Sequence, residues 1–359
     1  MHEETGESAF GFHGTWREFA PIAFTNLLLT IVTLGIYRFW AKARERQYLW
    51  SRTRFIDERL EWTGTGFELF MGAVLVLFII ILPFFGAQFL IQKMTLNGQE
   101  AAAGILSLVI LVAFFYLIGV ARFRAIRYRL GRTNWRGIRG GSDDQGFRYG
   151  VLYIVKNALG TFALFLLIPW AMVSLWNDRW SKMSFGPMRI DATAAEGGLL
   201  GRFLLSILAG IVLVGVIMGA FFAIFASAIT DSPDPGQAVG MAIGVVFLIL
   251  LLYFFGGLIF VSFYAAFFRH VVGGMSLGDL DFEFQATTWD WLKLIAGDVA
   301  LVVLTLGLGF VFLGYRHWKF FVVHMQAYGE INVDDLTQST TRRSKHGEGL
   351  LDAFDMGAI

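Results

Sequence analysis

Long runs of apolar residues dominate this chain. Leu69–Gln92, Ala101–Ala121, Phe203–Ile229 and Ala238–Phe268 contain no charged residue, and about 20 helical residues are enough to cross ~30 Å of hydrocarbon. Apolar residues make up 56% of the chain and charged residues only 16%, which is too little charge for a soluble surface of this size. Because the runs are continuous rather than alternating, they exclude a membrane β-barrel. The chain is predicted to be an all-α polytopic membrane protein.

Three further stretches bring the predicted spans to about seven. These are Pro21–Trp40, Val151–Trp176 and Leu294–Gly314. The first is short and contains Asn26 and Arg38, so it either spans the membrane or lies at its interface. Between spans, Arg52–Thr65 and Arg132–Gly141 alternate polar and apolar residues, which predicts short β-hairpins at the interface.

Short sequence matches recur along the chain at fixed shifts. Shifts of 130, 272 and 80 residues align these pairs: Trp50-Ser51-Arg52 with Trp180-Ser181-Lys182, Thr33-Leu34-Gly35 with Thr305-Leu306-Gly307, and Arg52-Thr53-Arg54-Phe55 with Arg132-Thr133-Asn134-Trp135. We interpret them as a degenerate 3+3 repeat plus one final span. A copy of three spans reverses direction in the membrane, so the repeat is predicted to be inverted, as in some transporters.

This interpretation divides the chain into five parts: an N-terminal segment (1–20), a first membrane repeat (21–150), a second membrane repeat (151–293), a final span with an interfacial segment (294–331), and a disordered tail (332–359). Lysine and arginine concentrate in loops 41–68 and 122–150 and in the tail. Those regions are therefore predicted to be cytoplasmic, with the N-terminus in the periplasm.

The sequence resembles a known family. The run Asn26–Phe55, the upstream segment FGFHGTWREF and the later RYRLGRTNWRGIR are similar to the YjgN-like family of bacterial inner-membrane proteins, with the resemblance extending from Phe10 to about Ile331. It implies a polytopic inner-membrane protein, with no activity, cofactor or catalytic residue to carry over. It also suggests a membrane-associated peptidase or another envelope protein as a partner.

Three polar residues occupy the same place in the repeat. Asn26 aligns with Lys156 and with Asp298, each inside a predicted span, and an ionisable group at membrane depth is a candidate for function. Lys156 and Asp298 could line a transport pathway as a buried pair. The alternative is that all three make structural polar contacts near helix ends.

A basic cluster follows the third predicted span. It comprises Arg122, Arg124, Arg127, Arg129, Arg132, Arg136 and Arg139. It could bind anionic lipid headgroups or a partner protein, or act only as a signal for membrane orientation. A juxtamembrane position places it against membrane lipids, so nucleic acid is not an expected partner.

The sequence shows no catalytic pattern and no metal-binding pattern. The chain has no cysteine, and His270, His317 and His324 have no carboxylate at ligand spacing. We therefore expect neither an enzyme nor a cofactor. Gly215-x-x-x-Gly219 and Gly240-x-x-x-Gly244 have the spacing that allows close helix packing.

Two functions follow from the sequence. The first is a permease or channel for a small or lipid-like solute, motivated by the inverted repeat and the polar trio. The second is a non-catalytic scaffold or regulator that holds an envelope complex or anionic lipid through its basic hairpins.

Overall fold

The computed structural model describes residues 8–195, 197–230, 234–329 and 337–341, most of which are helical. The helices are α1 (Trp16–Val32), α2 (Arg38–Ser51), α3 (Gly66–Val76), α4 (Leu82–Leu96), α5 (Glu100–Arg132), α6 (Phe147–Phe162), α7 (Ile168–Trp180), α8 (Leu199–Thr230), α9 (Pro235–Ile259), α10 (Val261–Val272), α11 (Thr288–Leu304) and α12 (Leu313–His324). A π-helical turn, Leu77–Ile81, joins α3 to α4, and a 3-10 turn, Leu308–Phe312, precedes α12.

The strands between these helices are short. They are β1 (Phe10–Phe12), β2 (Thr53–Phe55), β3 (Glu58–Arg59), β4 (Glu61–Trp62), β5 (Thr133–Trp135), β6 (Ile138–Gly141), β7 (Ser184–Phe185), β8 (Met188–Ala192), β9 (Met275–Leu277), β10 (Leu280–Phe284) and β11 (Met325–Tyr328).

Four helical segments of the described chain are long and apolar enough to cross a membrane. They are Gly66–Leu96 (α3 and α4), Glu100–Arg132 (α5), Leu199–Ala226 (within α8) and Pro235–Val272 (α9 and α10). They overlap the four charge-free runs, so the prediction of membrane helices holds at these places.

The other three predicted spans are not continuous helices. Each contains two successive residues with positive φ, and an α-helix of L-residues cannot continue through such a pair. The pairs are Leu34 (50°) and Gly35 (90°), Leu164 (53°) and Phe165 (65°), and Leu306 (51°) and Gly307 (93°). The chain reverses there, so α1/α2, α6/α7 and α11/α12 are short helical hairpins. Seven continuous spans are therefore not confirmed.

Threonine builds two of these reversals in the same way. The Thr33 hydroxyl donates to the carbonyl of Leu29 (2.7 Å) and accepts from the backbone N–H of Tyr37 (2.9 Å). The Thr305 hydroxyl donates to the carbonyl of Leu301 (2.6 Å) and accepts from the N–H of Gly309 (2.6 Å). The matched tripeptides Thr33-Leu34-Gly35 and Thr305-Leu306-Gly307 are thus the same local turn, in which the hydroxyl accepts from the first backbone N–H groups of the following helical segment.

Four tight β-hairpins connect incoming helices to outgoing ones. They are β2/β3, β5/β6, β7/β8 and β9/β10. The first turn residue has positive φ in every case: Ile56 (57°), Arg136 (52°), Gly186 (55°) and Gly278 (60°). Two-residue turns with this conformation match the twist of the paired strands.

The hairpins pair side by side into a curved sheet. Strands β11-β10-β9-β8-β7-β6-β5-β4 form one antiparallel order, and β1-β2-β3 form a second. The backbone N–H of Leu60 donates to the carbonyl of Thr53 (2.9 Å), which joins the two sheets on one side. On the other side β1 lies beside β11, and the rings of Phe10 and Phe282 are 6.3 Å apart. We call this arrangement the strand ring.

Five helix pairs leave the strand ring, and short pairs alternate with long ones. In chain order they are α1/α2, α3–α4/α5, α6/α7, α8/α9–α10 and α11/α12. The second and fourth pairs contain the four apolar segments of membrane-spanning length. The other three are the helical hairpins.

The strand ring is incompatible with the inverted repeat. Strand β6 belongs to the basic hairpin predicted to be cytoplasmic, and β7 belongs to the copy predicted to face outward. The two strands pair directly, with Gly140 opposite Phe185 and Gly141 opposite Ser184. Hydrogen-bonded strands lie on one side of a membrane, so the inverted arrangement was wrong.

Close helix packing occurs at other glycines than those predicted. A Cβ on Gly119 of α5 would lie 2.9 Å from the Cα of Gly150 in α6. Of the predicted glycines, a Cβ on Gly215, Gly219 or Gly240 would meet no described atom within 4 Å, whereas a Cβ on Gly244 of α9 would lie 3.4 Å from Ile224 Cδ1 of α8, an ordinary contact. Spacing alone identifies small residues but not which of them faces a neighbouring helix.

Part of the predicted disordered tail is packed on the ring. The Gln338 amide donates to the carbonyl of Gly137 (2.8 Å) and accepts from the backbone N–H of Arg139 (3.2 Å). Ser339 is buried. The rest of that tail, 332–336 and 342–359, lies outside the described residues.

Candidate functional site

Each helical hairpin is closed by a polar pair whose members are 18 residues apart. Asn26 is buried in α1; its amide donates to the carbonyl of Ala41 (3.1 Å), and its side-chain oxygen accepts from Arg44 of α2 (3.4 Å). Lys156 of α6 donates to the Ser174 hydroxyl of α7 (2.5 Å). Asp298 of α11 accepts from Nε of Arg316 in α12 (2.6 Å).

Two of these pairs are reinforced by a third group. Lys156 also forms an ion pair with Asp178, one turn beyond Ser174. The second oxygen of Asp298 lies 2.6 Å from Nε2 of His317. The polar trio therefore ties the two arms of each hairpin together. Lys156 and Asp298 are paired within their own hairpins and not with each other.

A large cavity lies between the helix pairs and the strand ring. Its volume is about 1090 Å³, slightly above the ~300–1,000 Å³ usual for small-molecule sites. The incoming helices line it at similar levels: Leu49 and Trp50 from α2, Arg129 and Leu130 from α5, Trp176 and Trp180 from α7, Phe268 and Val272 from α10, and Trp318 and Phe321 from α12. Met325, the first residue of β11, also lines it.

The strand ring closes one end of this cavity with apolar side chains. The residue before each hairpin turn points towards it: Phe55, Trp135, Phe185 and Leu277. Phe55, Trp135 and Leu280 form a buried cluster inside the ring, with Phe10, Leu60, Phe185 and Phe282 packed against it. The cavity thus ends in aromatic packing rather than in an open pore.

Cations outnumber carboxylates among the described residues that line the cavity. Arg38, Lys42 and Arg46 of α2 and Arg129 of α5 line it, whereas Glu45 is the one carboxylate among its lining residues in the described chain. Lys42 and Glu45 form an ion pair at 3.5 Å. Asn26 also lines the cavity, and Lys156 and Asp298 do not.

The base of the first hairpin is fixed by Tyr48. Its hydroxyl accepts from the backbone N–H of Thr15 (3.1 Å) and donates to the carbonyl of the same residue (2.9 Å), at the N-cap of α1. Burial raises the pKa of Tyr48 to about 12, and a hydrogen bond with Glu18 acts in the same direction. Tyr48 therefore stays neutral and holds α1 against α2.

Most of the predicted arginine cluster is engaged within the protein. Arg124 donates to the backbone carbonyl of Gln145, and Arg127 donates to the backbone carbonyl of Asp144. Arg132 donates to the Glu68 carboxylate. Arg136 pairs with Asp57, and Arg139 bonds Thr341 of the tail. The Arg122 guanidinium lies 5.4 Å from the Tyr153 ring centre, and Arg129 lines the cavity. The structure does not bring the seven together as one surface patch.

The three histidines lie apart. His317 faces Asp298, His324 contacts the carbonyl of Phe320 (2.8 Å), and His270 contacts that of Ala195. Across the described ranges, no group of three or more His, Asp or Glu side chains is placed to hold a metal.

Sequence comparison places the chain in a family. Residues 7–353, nearly the whole chain, match a sequence family that is described as bacterial protein of unknown function (DUF898). The chain belongs to this family. No solved structure matches it.

Three relatives carry the name inner membrane protein YjgN. The protein of Escherichia coli K12 is 23% identical over 223 residues, covering 61% of this chain and 48% of the relative. That of Escherichia coli O157:H7 is 28% identical over 132 residues (36% and 30%). That of Salmonella typhimurium LT2 is 34% identical over 70 residues (20% and 18%). The matches span about half or less of these relatives, and they support a multi-pass inner-membrane protein.

The cavity-lining face of α2 escaped the sequence analysis. Arg38, Lys42 and Arg46 recur every four residues, which is one face of a helix. The predicted span Pro21–Trp40 separates Arg38 from Lys42 and Arg46, which fall in the basic loop 41–68. The fourfold spacing was the signal that could have revealed them.

Proposed function

We propose that this protein is a permease for a lipid-like solute, which it binds in the central cavity. The observation that carries the proposal is the cavity itself, with its aromatic wall and its position between the helix pairs. The ring's aromatic packing closes one end of the cavity, which favours a binding site over an open channel.

The proposal includes a membrane arrangement. The tips of the helical hairpins are apolar and almost fully exposed: Leu34 is 94% and Leu306 95% exposed. From Asn26, whose side chain bonds α2, to Val32 at the end of α1 the helix rises about 9 Å, less than half of the ~30 Å hydrocarbon core. The three hairpins therefore enter one leaflet and return, and the chain crosses the membrane four times.

Basic residues orient this arrangement. With four crossings, the described lysines and arginines other than Lys93 lie near the ring end of a crossing helix or in segments that begin and end on the side of the strand ring. Arg38 and Lys156 lie farther from the ring, within the helical hairpins. The excess of lysine and arginine marks the cytoplasmic side. The ring, strand β1 and the C-terminal segment then all face the cytoplasm, instead of the N-terminal part facing the periplasm.

A bulky side chain in the cavity would test the proposed transport. Ala41 lines the cavity, and Ala102 is exposed near the outer end of α5. Trans-bilayer movement of an NBD-labelled lysophospholipid in proteoliposomes, followed by dithionite quenching, should be accelerated by the wild type and by Ala102→Phe but not by Ala41→Phe. A wild-type rate equal to that of protein-free liposomes would contradict the proposal.

The scaffold alternative finds less support in the contacts. Arg127, Arg132 and Arg139 bond groups of the chain itself, so neutralising them would disturb the fold before it released a lipid or an envelope partner. A membrane-associated peptidase as partner stays a prediction from the family resemblance.

A further inference from the structure

The second helix of the first hairpin presents cations to the cavity at regular intervals. Arg38, Lys42 and Arg46 all line it, and four residues of helix rise about 6 Å. Their burial increases along the helix: Arg38 is exposed, Lys42 is half-buried and Arg46 is only 3% exposed. These three residues, which we call the cation ladder, lead from the hairpin tip to the aromatic end of the cavity.

The other two hairpins do not have this ladder. At the shift of 130 residues its members align with Ile168, Met172 and Trp176, and at the shift of 272 with Phe310, Gly314 and Trp318. Helices α7 and α12 occupy comparable positions around the cavity and contribute no lysine or arginine to its lining. The helical hairpin therefore does not need the ladder in order to fold.

Aromatic rings lie beside the inner end of the ladder. The Arg46 guanidinium is 5.0 Å from the Trp62 ring centre, and the rings of Trp50 and Trp318 stack at 3.9 Å. Arginine binds carboxylates and phosphates through paired N–H donors, while stacked indoles offer an apolar surface to an acyl chain. One wall thus combines cationic and apolar recognition.

We propose that the cation ladder receives the anionic headgroup of a single-chain amphiphile whose acyl chain lies against the aromatic wall. This inference rests on the proposed function and names the class of its solute. A headgroup at Lys42 competes with Glu45, the carboxylate now paired with that lysine. As the headgroup moves from Arg38 towards the more buried Arg46, hydrogen bonds to water are replaced by hydrogen bonds to protein donors. The headgroup therefore stays next to a cation at each step.

Tryptophan quenching in phosphatidylcholine nanodiscs tests the inference. The probes are dibromostearic acid and the matched neutral dibromostearyl alcohol, both of which enter the bilayer. The acid should quench saturably, with an apparent affinity about tenfold or more above that of the alcohol, because only the carboxylate accepts charge-assisted hydrogen bonds from the ladder. Arg38→Gln and Lys42→Gln should each remove most of this difference.

Lys319→Gln is the matched control, because Lys319 is exposed on α12 and does not line the cavity. It should keep the preference for the acid. Equal quenching by acid and alcohol in the wild type would overturn the ladder while leaving the cavity as a site for neutral lipids. No saturable quenching by either probe would overturn the proposed function as well. Displacement of the acid by inorganic phosphate alone would show that the acyl chain is not recognised.

Discussion

At the residue scale, the same structural task is solved with three chemistries. An amide, an ammonium and a carboxylate occupy equivalent positions in α1, α6 and α11, and each bonds a residue 18 positions later in the returning helix. The bond tolerates this variation because any donor–acceptor pair closes the gap between the arms. What the three positions share is their place between the two helices of a hairpin, where burying an unpaired polar group would cost free energy.

Removing one partner tests this role. Asp298→Asn keeps the shape but leaves Arg316 without its carboxylate, so we expect a loss of about 1–3 kcal/mol in the free energy of unfolding. Thermal unfolding followed by tryptophan fluorescence in detergent would measure it. Lys293→Gln is the control, since its ion pair with Asp290 is exposed and such pairs contribute ~0–1 kcal/mol. Equal losses of unfolding free energy in the two variants would contradict the role of the Asp298–Arg316 pair in joining α11 to α12.

At the element scale, the apolar tips of the helical hairpins explain why hydropathy predicts three spans at places where the structure has no continuous helix. Val32, Leu34 and Ile36 surround the first reversal, so hydropathy runs through it without interruption. Only the backbone shows the break, at Leu34 and Gly35. The tips remain apolar because, in the proposed arrangement, lipid rather than water surrounds them.

A glycine substitution isolates the backbone contribution. Gly35 has φ +90° and nothing within 4 Å of an added Cβ, so Gly35→Ala changes only the backbone strain. We expect it to cost about 1–2 kcal/mol. Gly86→Ala adds the same methyl group in open space within helix α4 and should be neutral or stabilising by ~0.5–1 kcal/mol. Urea or thermal unfolding of both variants would separate the two outcomes; a neutral Gly35→Ala would argue against the turn.

At the scale of the whole molecule, the strand ring decides how the chain enters the membrane. Strands from every part of the described chain pair or adjoin within it, so the loops that carry them share one side. Helix pairs can leave and return, but none can end on the opposite side. In the proposed arrangement, the three predicted spans that are not continuous helices become hairpins of one leaflet.

Cysteine labelling would establish the arrangement, because the chain has no cysteine of its own. Ser51, Asn97 and Ser181 are exposed. In spheroplasts, a membrane-impermeant thiol reagent should label Asn97→Cys only, and Ser51→Cys and Ser181→Cys should react after the membrane is opened. Labelling of Ser181→Cys in sealed spheroplasts would restore an outward-facing second hairpin and contradict four crossings.

Hydropathy and local sequence matches are enough to predict the membrane class, the four long helices, the short strands at Thr53–Phe55 and Thr133–Trp135, and the equivalence of Asn26, Lys156 and Asp298. Both kinds of pattern are formed by residues that are neighbours in the sequence. The chain reversals, the pairing of β6 with β7 and the cavity-lining face of α2 were decided by tertiary structure. They depend on which strands and helices meet, and residues far apart in the sequence settle that through packing and hydrogen bonds.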